Sequence, residues 1–94
     1  MKVFYSPEAL GDLQRLREFL ASKNPQAARK AAARIIQGVK QLSSFPLLGT
    51  EVSRAPNPEV VRDLVVGKYV VRYLVGSAEI YILRIWHHKE RRGS

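Results

Sequence analysis

Between Glu59 and His88 the chain reads EVVRDLVV, GK, YVVRYLV, GSA, EIYILRIWHH. Three runs rich in Val, Ile, Leu and Tyr are cut by short breaks at Gly67-Lys68 and Gly76-Ser77-Ala78. β-branched and aromatic residues suit a pleated, half-buried surface, and Gly-containing breaks of this length are hairpin turns. The spacing predicts an antiparallel meander over Glu59–Val66, Tyr69–Val75 and Glu79–His87. Period-two alternation would put Tyr69, Val71, Tyr73 and Val75 on one face of the middle strand, with Val70, Arg72 and Leu74 on the other. In the last strand it would group Tyr81, Leu83, Ile85 and His87 against Ile80, Ile82, Arg84 and Trp86. Both faces are largely apolar, so cover is expected on both. Arg62, Arg72 and Arg84 interrupt the pattern, one per strand.

The sequence before the meander reads as a helical hairpin. Lys2 to Tyr5 is a short strand. Ser6-Pro7 and Asn24-Pro25 each pair an N-cap residue with a proline at the first helical position. Glu8 and Asp12 fall early in the first helix, where the macrodipole favours carboxylates. Its apolar stripe is Leu10, Leu13, Leu16 or Arg17, and Leu20, and it runs to about Ser22. The second helix runs from Pro25 to about Ser44. Ala28, Ala32, Ile35, Val39 and Leu42 alternate steps of four and three along it and draw one buried stripe. Its alanines would let it lie close to what it covers. The short link at Lys23-Asn24 makes the helices antiparallel neighbours. Leu47 to Pro58 reads as a loop, with Gly49, Pro56 and Pro58.

The element order is therefore β-α-α-β-β-β, an α+β fold with a helical hairpin packed on a small antiparallel sheet. Pairing the first strand with the last gives the order 1-4-3-2. At 94 residues, 46% hydrophobic and 26% charged, residues 1–94 have the size and composition of a single domain with one modest core. The chain has no cysteine, which removes disulfides and thiolate metal sites. Its histidines, His87 and His88, are adjacent, so no metal is expected, nor any cofactor. No apolar run is long enough for a membrane span, and MKVFYSPEAL lacks the core of a signal peptide, so a cytoplasmic protein is expected. Charge is the informative quantity. There are 16 Lys and Arg against 8 Asp and Glu, a net charge of +8, which suits a polyanionic or acidic partner or simply solubility.

Taken together, these segments resemble the ParE/RelE superfamily of toxins from type II toxin–antitoxin modules. The resemblance rests on Pro7-Glu8-Ala9 with Asp12-Leu13, and on Asn24-Pro25 with the alanine-rich helix. It continues through Leu42 with Phe45-Pro46 and Gly49, Arg62-Asp63-Leu64, Tyr69-Val70-Val71-Arg72-Tyr73, and Ile82-Leu83-Arg84-Ile85-Trp86-His87. It implies a plasmid-stabilising toxin silenced by a cognate antitoxin. RelE-like members cut mRNA on the ribosome; ParE-like members poison DNA gyrase. RNA cleavage without a metal needs a base, an acid and cations on the phosphate. In RelE-like members an arginine commonly follows the tyrosine that opens the middle strand, and a tyrosine comes late in the chain. Here the first position is Val70 and the second is absent. His87 stands as the acid or base if the chain is RelE-like, and the set is incomplete, so the resemblance leans to ParE.

Arg62, Arg72, Arg84, Lys89, Arg91 and Arg92 are the expected contacts to a target or nucleic acid. Trp86, Tyr69 and Tyr73 are the expected partner-binding aromatics, with a homodimer as a further expectation. Each has a structural alternative. The arginines can equally be tied to Asp63, Glu79 or backbone carbonyls. Tyr69 and Tyr73 suit sheet packing, Trp86 can cover the sheet end, and His87 can be a polar strand end. Three functions remain open: a gyrase poison, a ribosome-dependent ribonuclease, and a non-toxic basic module that binds nucleic acid or antitoxin.

Overall fold

The computed structural model describes residues 1–57 and 60–90. The elements are β1 (Lys2–Tyr5), α1 (Pro7–Ala21), α2 (Pro25–Gln41), β2 (Thr50–Glu51), β3 (Val61–Val66), β4 (Tyr69–Val75) and β5 (Glu79–His87). The meander forms as its punctuation requires. Gly67 takes φ +59° at the first position of the β3–β4 turn, a conformation that side chains bearing a Cβ rarely adopt. Both helix starts are capped as expected. Ser6 Oγ accepts from Ala9 N at 2.9 Å, and Asn24 Oδ1 accepts from Gln26 N and Ala27 N.

The sheet order is β1-β5-β4-β3-β2. The expected neighbour order of the four long strands is found, but the sheet is mixed. β1 runs parallel to β5, with Val3 opposite Ile80 and Tyr5 opposite Ile82, while the other pairs are antiparallel. The direction follows from the helix that leaves β1. Ser6 donates from its N–H to Ile82 O at 2.9 Å and from its hydroxyl to Leu83 O at 2.9 Å. α1 therefore starts alongside β5 and runs over the sheet. The segment expected to be pure loop contributes the short edge strand β2, which pairs Thr50 with Asp63 and Glu51 with Arg62. The expected start of the following strand at Glu59 lies outside the described residues.

β5 contains a bulge that corrects the simple alternation. Arg72 faces Arg84 while Tyr73 faces Ile82, so Leu83 is the extra residue. One added residue exchanges the faces downstream. Ile85 joins Ile80 and Ile82 in the core, and Trp86 stands opposite Val70, on the face turned away from the helices. The core closes between that set, Val71, Tyr73 and Leu64 of the sheet, and Ala9, Leu16, Ile35, Val39 and Leu42 of the helical layer. The α2 stripe is buried at all five expected positions. The α1 stripe is rotated: Ala9, Asp12 and Leu16 are buried, and Leu10 is 54% exposed. The rotation brings a carboxylate, not a leucine, against β5.

Candidate functional site

The three sheet arginines lie in three separate settings. Arg62 reaches the far edge, where its Nη1 donates to Gly49 O at 2.8 Å and its Nη2 stands 3.7 Å from Glu51 Oε1. Arg72 forms a two-pronged pair with Asp63: Nε to Oδ1 at 2.9 Å and Nη2 to Oδ2 at 3.0 Å. Its guanidinium also lies 5.0 Å over the Trp86 ring. Arg84 forms the matching pair with Asp12, Nε to Oδ2 at 2.8 Å and Nη2 to Oδ1 at 2.9 Å. The hydrogen bonds to Asp63 and Asp12 hold both guanidiniums above the ordinary arginine value. Fork-on-fork geometry of this kind uses the face that a phosphate would otherwise take.

Two of the expected partner-binding aromatics are interior in this chain. Tyr73 is fully buried; its hydroxyl donates to Pro46 O at 2.8 Å and accepts from Gly49 N at 2.8 Å. It thus ties the turn after α2 to the sheet. Gly49 is needed there, since a Cβ would lie 2.7 Å from Asp63 O. Trp86 is also buried, under Arg72. Burial removes both from the surface that a partner could read in the free chain. Tyr69 is half-buried and stands edge-on to His87, with ring centroids 5.4 Å apart.

His87 and Tyr69 come together at one end of the sheet. With Lys89, Glu90 and the second half of α1 (Arg15, Leu16, Phe19, Leu20), they line a cleft of about 500 Å³. His87 Nδ1 accepts the N–H of Lys89 at 3.1 Å, so the ring proton of the neutral imidazole sits on Nε2. Burial, then the charges of His88 and Lys89, push the imidazole below its ordinary value. Glu90 latches the end of the described chain: Oε2 accepts from Arg15 Nη1 at 2.7 Å and Oε1 from His87 N at 2.8 Å. Lys89 is exposed at the rim. Arg91 and Arg92 lie outside the described residues.

Sequence reasoning missed Asp12, Arg15, Phe19, Leu20 and Glu90. Asp12 left a signal. With Ala9 and Leu16 it follows the three-and-four spacing of a buried helical face, where an unpaired carboxylate would be costly. The residues lining the cleft from α1 left none, because their meeting with Tyr69 and His87 depends on how α1 is rotated on the sheet. Among the described residues there is no group of three or more His, Cys, Asp or Glu able to hold a metal. No helix there is long and apolar enough to cross a membrane.

Comparison with known proteins agrees with this architecture. Residues 3–92 match the family described as the ParE toxin of the type II toxin–antitoxin system parDE. Toxin RelE2 of Caulobacter vibrioides is 33% identical over 86 residues, covering 92% of this chain and 93% of its own. Toxin RelE3 of the same organism is 34% identical, with 92% of each chain covered. A solved structure described as the chromosomal ParDE TA system from P. aeruginosa superposes with a TM-score of 0.78 at 27% identity, over 93% of this chain and 95% of that one. A helical hairpin on a five-stranded sheet, matched along nearly its whole length, is thus found in a chain that belongs to the ParE toxin family of type II toxin–antitoxin systems.

Proposed function

We propose that this toxin is a cytoplasmic DNA gyrase poison, held in check by its cognate antitoxin, and that it cuts no RNA. The observation that carries this reading is the state of the sheet arginines. Arg72 and Arg84 are each closed onto a carboxylate, and Arg62 is turned onto Gly49 O. Metal-independent RNA cleavage draws on cations aimed at the phosphate, together with an acid and a base. In place of an arginine after Tyr69 stands Val70, opposite Trp86. His87 offers a proton on Nε2, while its Nδ1 is occupied by a backbone N–H.

The test is a pulse-label of DNA, RNA and protein synthesis after induction without antitoxin. Under this reading DNA synthesis stops first, cells filament, and gyrase is trapped on cleaved DNA while ribosome-bound mRNA stays intact. The RelE names of the relatives favour a second reading, a ribosome-dependent ribonuclease. Rapid arrest of translation, with mRNA breaks that vanish in His87→Ala, would establish that reading and end the first.

A further inference from the structure

We infer that the solvent-facing side of α2 is a docking surface for the phosphate backbone of duplex DNA. The inference goes beyond the gyrase reading and holds for either target of the toxin, since it needs only this chain and a duplex.

The charge of α2 is of one sign. The helix carries Arg29, Lys30, Arg34 and Lys40, and no acid occurs between Lys23 and Glu51. α1, of similar length, mixes Glu8, Asp12 and Glu18 with Arg15 and Arg17. An exposed helix gains from opposite charges set four residues apart, whereas Lys30 and Arg34 put like charges at that spacing, at a cost to the helix. All four side chains are exposed. Among the described residues no carboxylate forms an ion pair with any of them. Glu18 of α1 shares the interhelical groove with Arg29, but its Oε1 accepts from Gln14 Nε2 at 3.1 Å. Uncompensated positive charge of this density is the complement of a polyanion.

The arrangement selects a duplex. At roughly 100° per residue, Arg29 and Lys40 fall in one row and Lys30 and Arg34 in a second, about 100° further round the helix. Between the rows lie Gln26, Ala33 and Gln37, which are exposed as well. The second row continues beyond the helix. A Cβ at Gly67 would lie 3.5 Å from Arg34 Nη1, so that guanidinium reaches the β3–β4 turn, where exposed Lys68 follows. A helix of this length is about 25 Å long and about 10–12 Å across, against a B-form major groove about 12 Å wide. Two rows of cations flanking small and amide side chains thus suit phosphates on the two banks of one groove, with Ala33 permitting close approach. A bilayer fits this face less well. The apolar stripe of α2 is already packed on the core, and of its large apolar side chains Ile36 alone is exposed.

The probe is a short labelled B-form duplex of mixed sequence. The full chain is titrated into it at several salt concentrations and followed by fluorescence anisotropy. Saturable binding is expected, with the logarithm of affinity falling linearly against that of salt. Lys30→Gln with Arg34→Gln should weaken binding by about tenfold or more and reduce the salt slope by about two. Lys2→Gln with Arg54→Gln removes the same net charge from exposed positions elsewhere and should weaken it by less than about threefold. Ala33→Glu, which sets an acid between the two rows, should abolish binding, while Arg34→Lys should keep most of it. Thermal melts establish that the variants fold. Duplex RNA of the same sequence, whose deep, narrow major groove excludes a helix, should bind about fivefold or more weaker. Equal losses from the two charge-matched pairs would mean that net charge alone is read, and would overturn the assignment. So would equal affinity for duplex RNA. Polyglutamate that competes as well as unlabelled duplex would give the face to an acidic protein instead. Phosphatidylglycerol vesicles bound with the same dependence on Lys30 and Arg34 would give it to a membrane.

Discussion

Asp12 Oδ2 accepts two hydrogen bonds at once, from Ile85 N at 2.9 Å and from Arg84 Nε at 2.8 Å. β1 pairs with β5 only as far as Ile82, so beyond that point the outer side of β5 has no neighbouring strand among the described residues. Ser6 takes up Ile82 O and Leu83 O, Asp12 takes up Ile85 N, and Glu90 takes up His87 N. The Ser6 backbone N–H and three side chains replace a strand along this stretch, which is how a buried backbone edge stays satisfied. Asp12→Ala would leave the buried Ile85 N–H without its acceptor, while the Arg84 side chain, 41% exposed, regains water. The cost should be about 1–3 kcal/mol, that of one orphaned buried donor, rather than the larger penalty of a stranded charge. Urea unfolding with an unchanged slope checks it; a loss within about 0.5 kcal/mol would mean the edge is satisfied another way.

Ile35 is 1% exposed at the centre of the α2 stripe, and Arg34 beside it is exposed. Ile35→Ala should cost about 2–5 kcal/mol, through lost transfer energy and the cavity left behind. Arg34→Ala should change stability by no more than about 0.5 kcal/mol. Denaturant midpoints for the two variants give the comparison, and similar losses would place the helix in another register.

The contrast between the helices marks how far the sequence could be read. In α2 the apolar spacing and the Asn24-Pro25 start determine which residues are buried, because one stripe packs on one sheet. In α1 leucines outnumber the buried positions, and the buried face includes Asp12, the acceptor for Ile85 N, which the spacing of the leucines alone does not encode. β5 misleads for a related reason. The sequence EIYILRIWH alternates apolar residues so evenly that the bulge at Leu83 leaves no trace, yet it decides that Ile85 faces the core and that Trp86 lies under Arg72. The cleft depends on both of these hidden choices. His87 could be singled out, but not its meeting with Phe19.

Tyr73→Phe isolates the tie between the sheet and the turn that follows α2. The substitution keeps the ring in the core but removes the donor to Pro46 O and the acceptor for Gly49 N, both at 2.8 Å. Leaving a buried amide and carbonyl unpaired should cost about 1–3 kcal/mol. Hydrogen exchange should then speed most at Gly49, and less in α2. Uniform acceleration throughout the chain would show that the turn does not open on its own.

The pH dependence carried by His87 has a definite sign. Burial first, then the positive charges of His88, Lys89 and Lys68, holds the folded imidazole below its ordinary value of 6.5, with Glu90 opposing. The unfolded chain therefore takes up the proton first as pH falls. The stability tied to neutral His87 is complete above about pH 6.5 and is lost as pH falls through the folded value. The same proton would set N–H against N–H at Lys89. Thermal melts of wild type and His87→Ala at pH about 7.5 and about 5.5 test this. The variant should lose less stability on acidification than the wild type. An equal loss in both would assign the acid sensitivity to carboxylates elsewhere.

The charge of the chain makes a prediction about how the antitoxin arrives. With a net charge of +8 and Lys89 on the rim of an apolar cleft, attraction acts before contact, whereas the Phe19 side chain in the cleft acts only after it. Long-range attraction sets the rate of encounter and is screened within about 10 Å at 0.1 M salt; buried apolar contact sets the rate of escape and is not. Raising salt from about 50 mM to about 500 mM should therefore slow association of the antitoxin by about tenfold or more and leave dissociation nearly unchanged. Replacing Lys89 with Glu should reproduce part of the salt effect in the association rate alone. Phe19→Ser should do the reverse, speeding dissociation while association keeps its salt dependence. Stopped-flow mixing of the purified proteins reads both rates. An association rate that does not respond to salt would mean that the surplus positive charge of this toxin serves its target or its solubility, and not its antitoxin.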